Sequence, residues 1–217
     1  MNANLNSDGR KPFTGYTGLY YENGESGGWI GEVWGGVTVK SSPRWNLSIG
    51  PDFYRTRTVA QFIGAVPDQT ERGLFGDRYV FADLVQTQLS IETRFNYTFN
   101  PELTLEVFAQ PFISAAAIGD SKYLVRARSF EFAPDTVSTA DFGLPDFNVR
   151  SLRGNAVLRW EYRPGSTLYL AWQQSRGSFA TDGTDIGRLR LDRDRDALFD
   201  ASPDNVFVVK VSYWLNP

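Results

Sequence analysis

Any chemistry in this chain has to come from carboxylates, hydroxyls, amides and cations, because its 217 residues include no histidine and no cysteine. That removes the usual disulfide framework, thiolate and imidazole metal sites, a cysteine nucleophile and a Ser-His-Asp triad. The densest carboxylate run is "RLRLDRDRDALFDASPD", where Asp192, Asp194, Asp196, Asp200 and Asp204 stand among Arg188, Arg190, Arg193 and Arg195. Alternating aspartates are hard oxygen ligands of the kind calcium takes. The run lacks the sixth-position glycine and closing glutamate of an EF-hand loop, and its arginines neutralise it. A self-paired outer loop is therefore the favoured reading, with Asp192, Asp194 and Asp196 as weak metal candidates and no cofactor expected. Two acids about 5 to 9 Å apart could hydrolyse a glycosidic bond, but none of the 25 acidic residues sits in a recognisable motif. Trp172, with Tyr169 nearby, offers a surface on which a sugar could stack. It shares the parity of Leu168 and Leu170, however, and that parity is apolar.

A second set of polar residues recurs with period two. Glu32, Lys40, Glu92, Arg94, Glu106, Arg153, Arg159, Glu161 and Lys210 each occupy the polar parity of an alternating segment. Such alternation marks a β-strand, and helical periodicity is hard to find anywhere in the chain. The alternating segments run over 29–40, 79–99, 103–113, 148–163 and 206–215. Segment 79–99 puts Leu89, Ile91, Thr93, Phe95, Tyr97 and Phe99 on one face, and Gln86, Gln88, Ser90, Glu92, Arg94 and Asn96 on the other. It is far longer than the five or six residues usual for a strand in a soluble domain.

One phrase recurs three times: "SSPRWNLSIG" from Ser41, "NPELTLEVFA" from Asn100 and "RPGSTLYLAW" from Arg163. Each places a proline in a tight turn, outside the ladder, ahead of the next strand's apolar parity. Long polar connections near 60–78, 115–146 and 177–204 fall at the opposite end. A first hairpin, from "FTGYTGLYY" through "ENGESGG" to Trp29, brings the expected total to about eight strands with both chain ends on the turn side.

Short turns at one end and long loops at the other, joined by strands of alternating polarity, are the layout of an antiparallel transmembrane β-barrel. The expected fold class is therefore all-β: one domain over 1–217, a membrane barrel or the C-terminal part of one, with periplasmic turns and outer loops. A mean hydropathy of -0.33 is compatible with this, since lumen-facing residues dilute the apolar ones. Aromatic residues make up 15% of the chain and gather near the turn end, as an interface belt would. They include Trp45, Phe95, Tyr97, Phe99, Trp160, Tyr162, Tyr213 and Trp214. The lipid side would carry Leu89, Ile91, Phe95, Tyr97, Leu105, Val107, Trp160, Tyr162, Val209, Val211 and Tyr213. The polar set above would face the lumen, pairing as a plug in a small barrel or lining a channel in a larger one. A net charge of -3 gives no broad basic field, which argues against nucleic acid as a partner.

Two stretches carry a family resemblance: "FNVRSLRGNAVLRWEYRPGSTLYLAWQQSR", residues 147–176, and "DNVFVVKVSYWLNP", residues 204–217. The most specific residues are Leu158 through Gly165, with Tyr213, Trp214 and Leu215. They resemble the C-terminal part of a Gram-negative outer-membrane family catalogued as domain of unknown function 5916, firmly over the last third of the chain. The resemblance implies a β-barrel following a carbohydrate-binding module similar to family 9, located in the cell outer membrane. It implies the lipid bilayer and the barrel assembly machinery as partners, and glycans through the module. Some members carry a membrane-associated hydrolase label, but no catalytic residue transfers to this sequence. The chain is then expected to be a C-terminal piece of a larger barrel or a shortened relative. Its aromatic-rich last strand resembles a barrel assembly signal, from which Asn216 and Pro217 depart.

The function expected is an outer-membrane barrel domain with an anchoring or transport-related role linked to glycan handling. The alternative is a soluble β-sandwich or lipocalin-like barrel binding a carbohydrate or apolar ligand. That alternative requires Leu89, Ile91, Phe95, Leu105, Val107, Val209 and Val211 to form a core.

Overall fold

The computed structural model describes residues 1–24, 26–70 and 72–215; Asn216 and Pro217, where the assembly signal was expected to end, lie outside them. The strands are β1 (Asn2–Asn6), β2 (Phe13–Asn23), β3 (Trp29–Ser42), β4 (Trp45–Pro67), β5 (Asp77–Asn100), β6 (Leu103–Leu124), β7 (Phe132–Pro134), β8 (Phe147–Arg163), β9 (Ser166–Ala180) and β10 (Asp204–Ser212). A 3₁₀ turn at Thr139–Phe142 and one helix, α1 (Leu191–Asp200), complete the described elements. All strands belong to a single antiparallel sheet in the order β1-β2-β3-β4-β5-β6-β8-β9-β10, with β7 pairing β6 off that path.

The three prolines end strands as their chemistry requires. Pro43, Pro101 and Pro164 sit in two-residue connections that join β3 to β4, β5 to β6 and β8 to β9. At the third turn Gly165 has a φ of 77°, which only glycine adopts at little cost, and a Cβ there would lie 3.0 Å from Trp214 Cβ.

Several expectations need correction. The sheet is open rather than closed into a barrel: β1 and β10 are its edges and do not pair with each other. Among the described residues ten strands form instead of about eight. β1 was missed because "NANLN" offers only Ala3 and Leu5 on its apolar parity, and β7 because it is three residues long. Adding β1 moves the start of the described chain to the loop end. β4 runs past residue 60 to Pro67, β5 begins already at Asp77 and β6 runs past residue 115 to Leu124, with β-bulges between Thr58 and Gln61 and between Ala82 and Leu84. Bulges shift the alternation by one residue, which hides such extensions in the sequence. The connection 177–204 contains α1, whose first turn carries Asp192 and Asp194, where acidic side chains oppose the positive end of the helix dipole.

The buried apolar cluster is small and lies at the loop end. Ile63, Val80 and Ala82 pack with Val66, Ile118, Phe142 and Leu144, so the 3₁₀ turn covers the projecting part of β4–β6. Two buried arginines tie the loops down. Arg78 pairs with Asp68 at 3.3 Å and Asp135 at 3.0 Å, and Arg150 pairs with Asp194 at 3.0 Å. Among the described residues, only eight apolar side chains are buried. The chain exposes 13944 Å², against about 10,000 Å² expected of a compact monomer of its mass.

Candidate functional site

Register decides which side chains share a face, because directly opposed residues on paired strands point the same way. One cross-strand row reads Phe13, Val39, Leu47, Phe95, Val107, Ala156, Trp172 and Phe207. The next row towards the turns reads Trp45, Tyr97, Leu105, Leu158, Leu170 and Val209, followed by Leu103, Trp160, Leu168 and Val211. Towards the loops come Leu19, Val33, Phe53, Leu89 and Ile113. The apolar parities of separate strands therefore merge into one face across the whole sheet. Tyr162 and Tyr213 stand at its turn end, where the Tyr162 hydroxyl donates to Ser212 O at 3.3 Å and Arg163 donates to the Tyr213 hydroxyl at 2.9 Å.

No core forms on this face. Leu89, Ile91, Phe95, Leu105 and Val107 are half-buried, while Val209 and Val211 are 66% and 63% exposed. The soluble sandwich or lipocalin-like alternative needed all seven inside, and no second layer of the described chain covers them. Aromatic contacts edge the turn end: Trp45 to Phe95 at 6.5 Å, Tyr97 to Phe99 at 4.7 Å and Trp160 to Tyr162 at 6.1 Å between ring centroids.

The opposite face is polar and recessed. Glu32, Glu92, Arg94, Glu106, Arg153, Arg159, Glu161 and Lys210 lie on it by register, and Lys40 borders a hollow there with Asn46, Asn96 and Thr98. Its charges pair along strands more than across them: Arg94 with Glu92 at 2.8 Å and Arg159 with Glu161 at 3.1 Å. Arg94 also lies 5.1 Å from the Phe108 ring centroid, and Lys210 lies 5.9 Å from that of Tyr169.

A groove on this face has a volume of about 560 Å³ and runs over β3, β4 and β5. Glu32, Asp52 and Glu92 supply carboxylates, Ser90 and Gln110 add neutral polar groups, and Tyr16 and Trp34 supply aromatic surface. Glycines let the two rings lie flat across neighbouring strands. A Cβ at Gly36 would come within 2.5 Å of the Tyr16 ring, and one at Gly18 within 2.3 Å of the Trp34 ring. Each ring faces its glycine directly across the ladder, Tyr16 opposite Gly36 and Trp34 opposite Gly18. Asp52, Tyr16 and Trp34 escaped the sequence reading. Aromatics were assigned to the membrane belt, and β4's polar parity of Ser48, Asp52 and Tyr54 went unread. The signal available was the glycine opposite each ring.

The aspartate run does not assemble a metal site, and no group of three metal-ligating side chains occurs among the described residues. Asp194 is fully buried, and its Oδ1 accepts from Arg150 Nη2 at 3.0 Å, Arg193 Nε at 2.8 Å and Asn148 Nδ2 at 3.2 Å. Its Oδ2 accepts from the Arg190 backbone N–H at 2.8 Å. Asp192 and Asp196 pair with Arg190 and Arg195 at the surface. The run holds a helix to the sheet rather than an ion. Trp172 lies on the apolar face, where it stacks against Phe207 and donates to Asn205 Oδ1 at 2.9 Å.

No curated protein matches the chain. A match to the family described as domain of unknown function (DUF5916) covers residues 1–216, well beyond the last third where the resemblance was read, so this chain belongs to that family.

Proposed function

We propose that the chain forms part of the wall of an outer-membrane β-barrel, with its apolar face on lipid and its polar face lining the interior, in an anchoring or transport-related role linked to glycan handling. The observation that carries this reading is the continuous, uncovered apolar face opposite a recessed polar one. A soluble monomer rarely exposes an apolar patch beyond a few hundred Å², whereas a barrel strand requires one side to be apolar. Dimensions agree. From Val85 to Phe95 on β5, ten steps cover about 33 Å along the strand. At a barrel tilt near 40° that is about 25 Å of height, the size of a barrel's apolar band.

Topology limits how such a barrel closes. Nine strands follow one another around the sheet, so β1 and β10 run in the same direction. Antiparallel closure then needs an odd number of further strands between them. A second copy related by rotation about the barrel axis would put its β1 parallel to β10, so copies of this chain alone give parallel seams. The interior groove, with three carboxylates, a neutral amide and two flat rings, favours polyhydroxylated or cationic solutes over anions, and sugars both stack on rings and donate to carboxylates. The lipid bilayer and the barrel assembly machinery are the partners this reading entails.

The test is refolding in detergent micelles and in plain buffer, followed by gel electrophoresis with and without boiling and by circular dichroism. A β-rich, heat-modifiable species only in detergent supports the reading. A β-rich soluble monomer in buffer overturns it.

A further inference from the structure

At the loop end of the apolar face, level with Thr87 and Val85, the surface changes character. Arg55 and Arg57 of β4 lie on this face by register, opposite Thr87 and Val85. Asp83 continues the same parity of β5, and Lys122 of β6 reaches it at 2.5 Å, while Arg57 Nε donates to its other oxygen at 3.1 Å. One carboxylate is thus shared by two cations. Arg55 has no acidic partner among the described residues, and its guanidinium lies 5.8 Å from the Trp29 ring centroid. The group carries a net charge of about +2 by this count of three cations and one acid. Beyond it Phe62, Phe81 and Phe132 pack edge to face, with centroids 5.5 and 5.2 Å apart. Beside Arg57, where β3 begins and β4 continues past it, a hollow of about 380 Å³ is bounded by Trp29, Val59 and Phe130, with Glu22 as the acid in its lining.

From these observations we propose that Arg55, Arg57 and Lys122 form a binding site for the phosphate of a lipid headgroup, its acyl chains lying on the apolar face below. This rests on the membrane-wall reading above and gives that wall a specific lipid at one rim. The cations stand on the lipid parity rather than in the interior. Arg55 and Arg57 lie level with Thr87 and Val85, the last two lipid-parity positions of the stretch whose height matches the apolar band, and Lys122 lies past it, so the group straddles the loop-side rim of the band. That is the level at which lipid phosphates lie. Arginine suits the role because its planar fork donates two parallel hydrogen bonds to phosphate oxygens. Trp29 and Phe130 would flank the headgroup at the same interfacial level. The turn end of the face presents a different set, Arg163 already engaged by Tyr213, which sets the two rims apart.

The experiment places the chain in phosphatidylcholine vesicles and first scores insertion by heat-modifiability and protease protection. It then compares spin-labelled phosphatidic acid with spin-labelled phosphatidylcholine for association with the protein. The proposal expects phosphatidic acid to be preferred at least about fivefold, since each cation near an anionic surface contributes about that factor. The preference should fall to near unity in Arg55→Gln/Arg57→Gln/Lys122→Gln and persist in Arg163→Gln. Equal association of the two lipids by an inserted wild-type chain overturns the proposal while leaving the wall reading intact. So does a triple variant that inserts and keeps the full preference. Loss of the preference on adding a few millimolar inorganic phosphate, but not an equal ionic strength of chloride, would identify a free-phosphate site and overturn the lipid assignment. A chain that fails to insert overturns the wall reading and this one with it.

Discussion

Replacing Asp194 with asparagine should release α1 from the sheet. The carboxylate is fully buried and accepts from Arg150, Arg193, Asn148 and the Arg190 backbone N–H, all between 2.8 and 3.2 Å. Arg150 is only 4% exposed, so the substitution leaves a guanidinium buried without its counter-charge. Breaking a buried pair from one side costs about 3 to 5 kcal/mol. Among the described residues the main α1 contacts are with β8 and β9, at one end of the sheet, so the loss should appear as local opening and not as collapse of the sheet. Hydrogen exchange of the 191–200 amides, followed by mass spectrometry on the chain refolded in detergent, reads that opening. At the lower figure of about 3 kcal/mol the amides should exchange about 150-fold faster. Asp192→Asn, at an exposed pair, should change the rate less than threefold or so. Arg150→Met with Asp194→Leu should recover only part of the protection, because it removes the stranded charge of Arg150 but leaves Arg193, Asn148 and the Arg190 N–H without their acceptor. If Asp194→Asn exchanges at the wild-type rate, the helix is held by something other than this pair.

The same anchor should respond to acid. Burial raises the Asp194 pKa, but hydrogen bonds from Arg193, the Arg190 backbone and Arg150 outweigh it and hold the group below its ordinary 3.8. A lowered carboxyl contributes stability that is complete above the unfolded value and is lost as pH falls through the folded one. Protection of α1, corrected for intrinsic exchange, should be flat from pH 7 to 5 and drop only below about 4. On the sheet, Ile91→Arg should impair insertion into vesicles by about 2 to 4 kcal/mol, and Ser90→Arg on the polar parity by far less; equal effects would contradict the assignment of faces. Gly18→Val should displace the Trp34 ring, which an added Cβ would approach within 2.3 Å, at a cost of about 1 to 3 kcal/mol. Gly9→Val, with open space around it, should leave the midpoint of heat modification unchanged.

Much of the sheet could be read before any coordinates, for a simple reason: period-two alternation is local. Leu89 to Phe99 declares a face without help from another strand, and Pro43, Pro101 and Pro164 mark the turns by what proline cannot do. The features that stayed hidden depend on distant partners. Asp194 becomes an anchor through Arg150, 44 residues away, and only that pairing turns a charged run into a docked helix. Trp34 lies on the polar face because Gly18, 16 residues earlier, leaves room for its ring. The bulges in β4–β6 break the alternation where those strands project, and β1 carries too little apolar pattern to announce itself. Closure depends on that short strand, since counting it changes an even set into an odd one.

The central claim, that one face meets lipid and the other meets water, is tested most directly by single cysteines along β5, and the chain has no native cysteine to interfere. Residues 87 to 96 would be changed one at a time in vesicle-inserted protein. Each would be labelled with a water-soluble maleimide, and separately with a fluorophore quenched by nitroxide-bearing lipid. The account predicts two alternating patterns in opposite phase: Gln88, Ser90, Glu92, Arg94 and Asn96 labelled and unquenched, Leu89, Ile91, Thr93 and Phe95 unlabelled and quenched. Protection of the second set in plain buffer, with no quenching by lipid, would place those residues in a soluble core and contradict it.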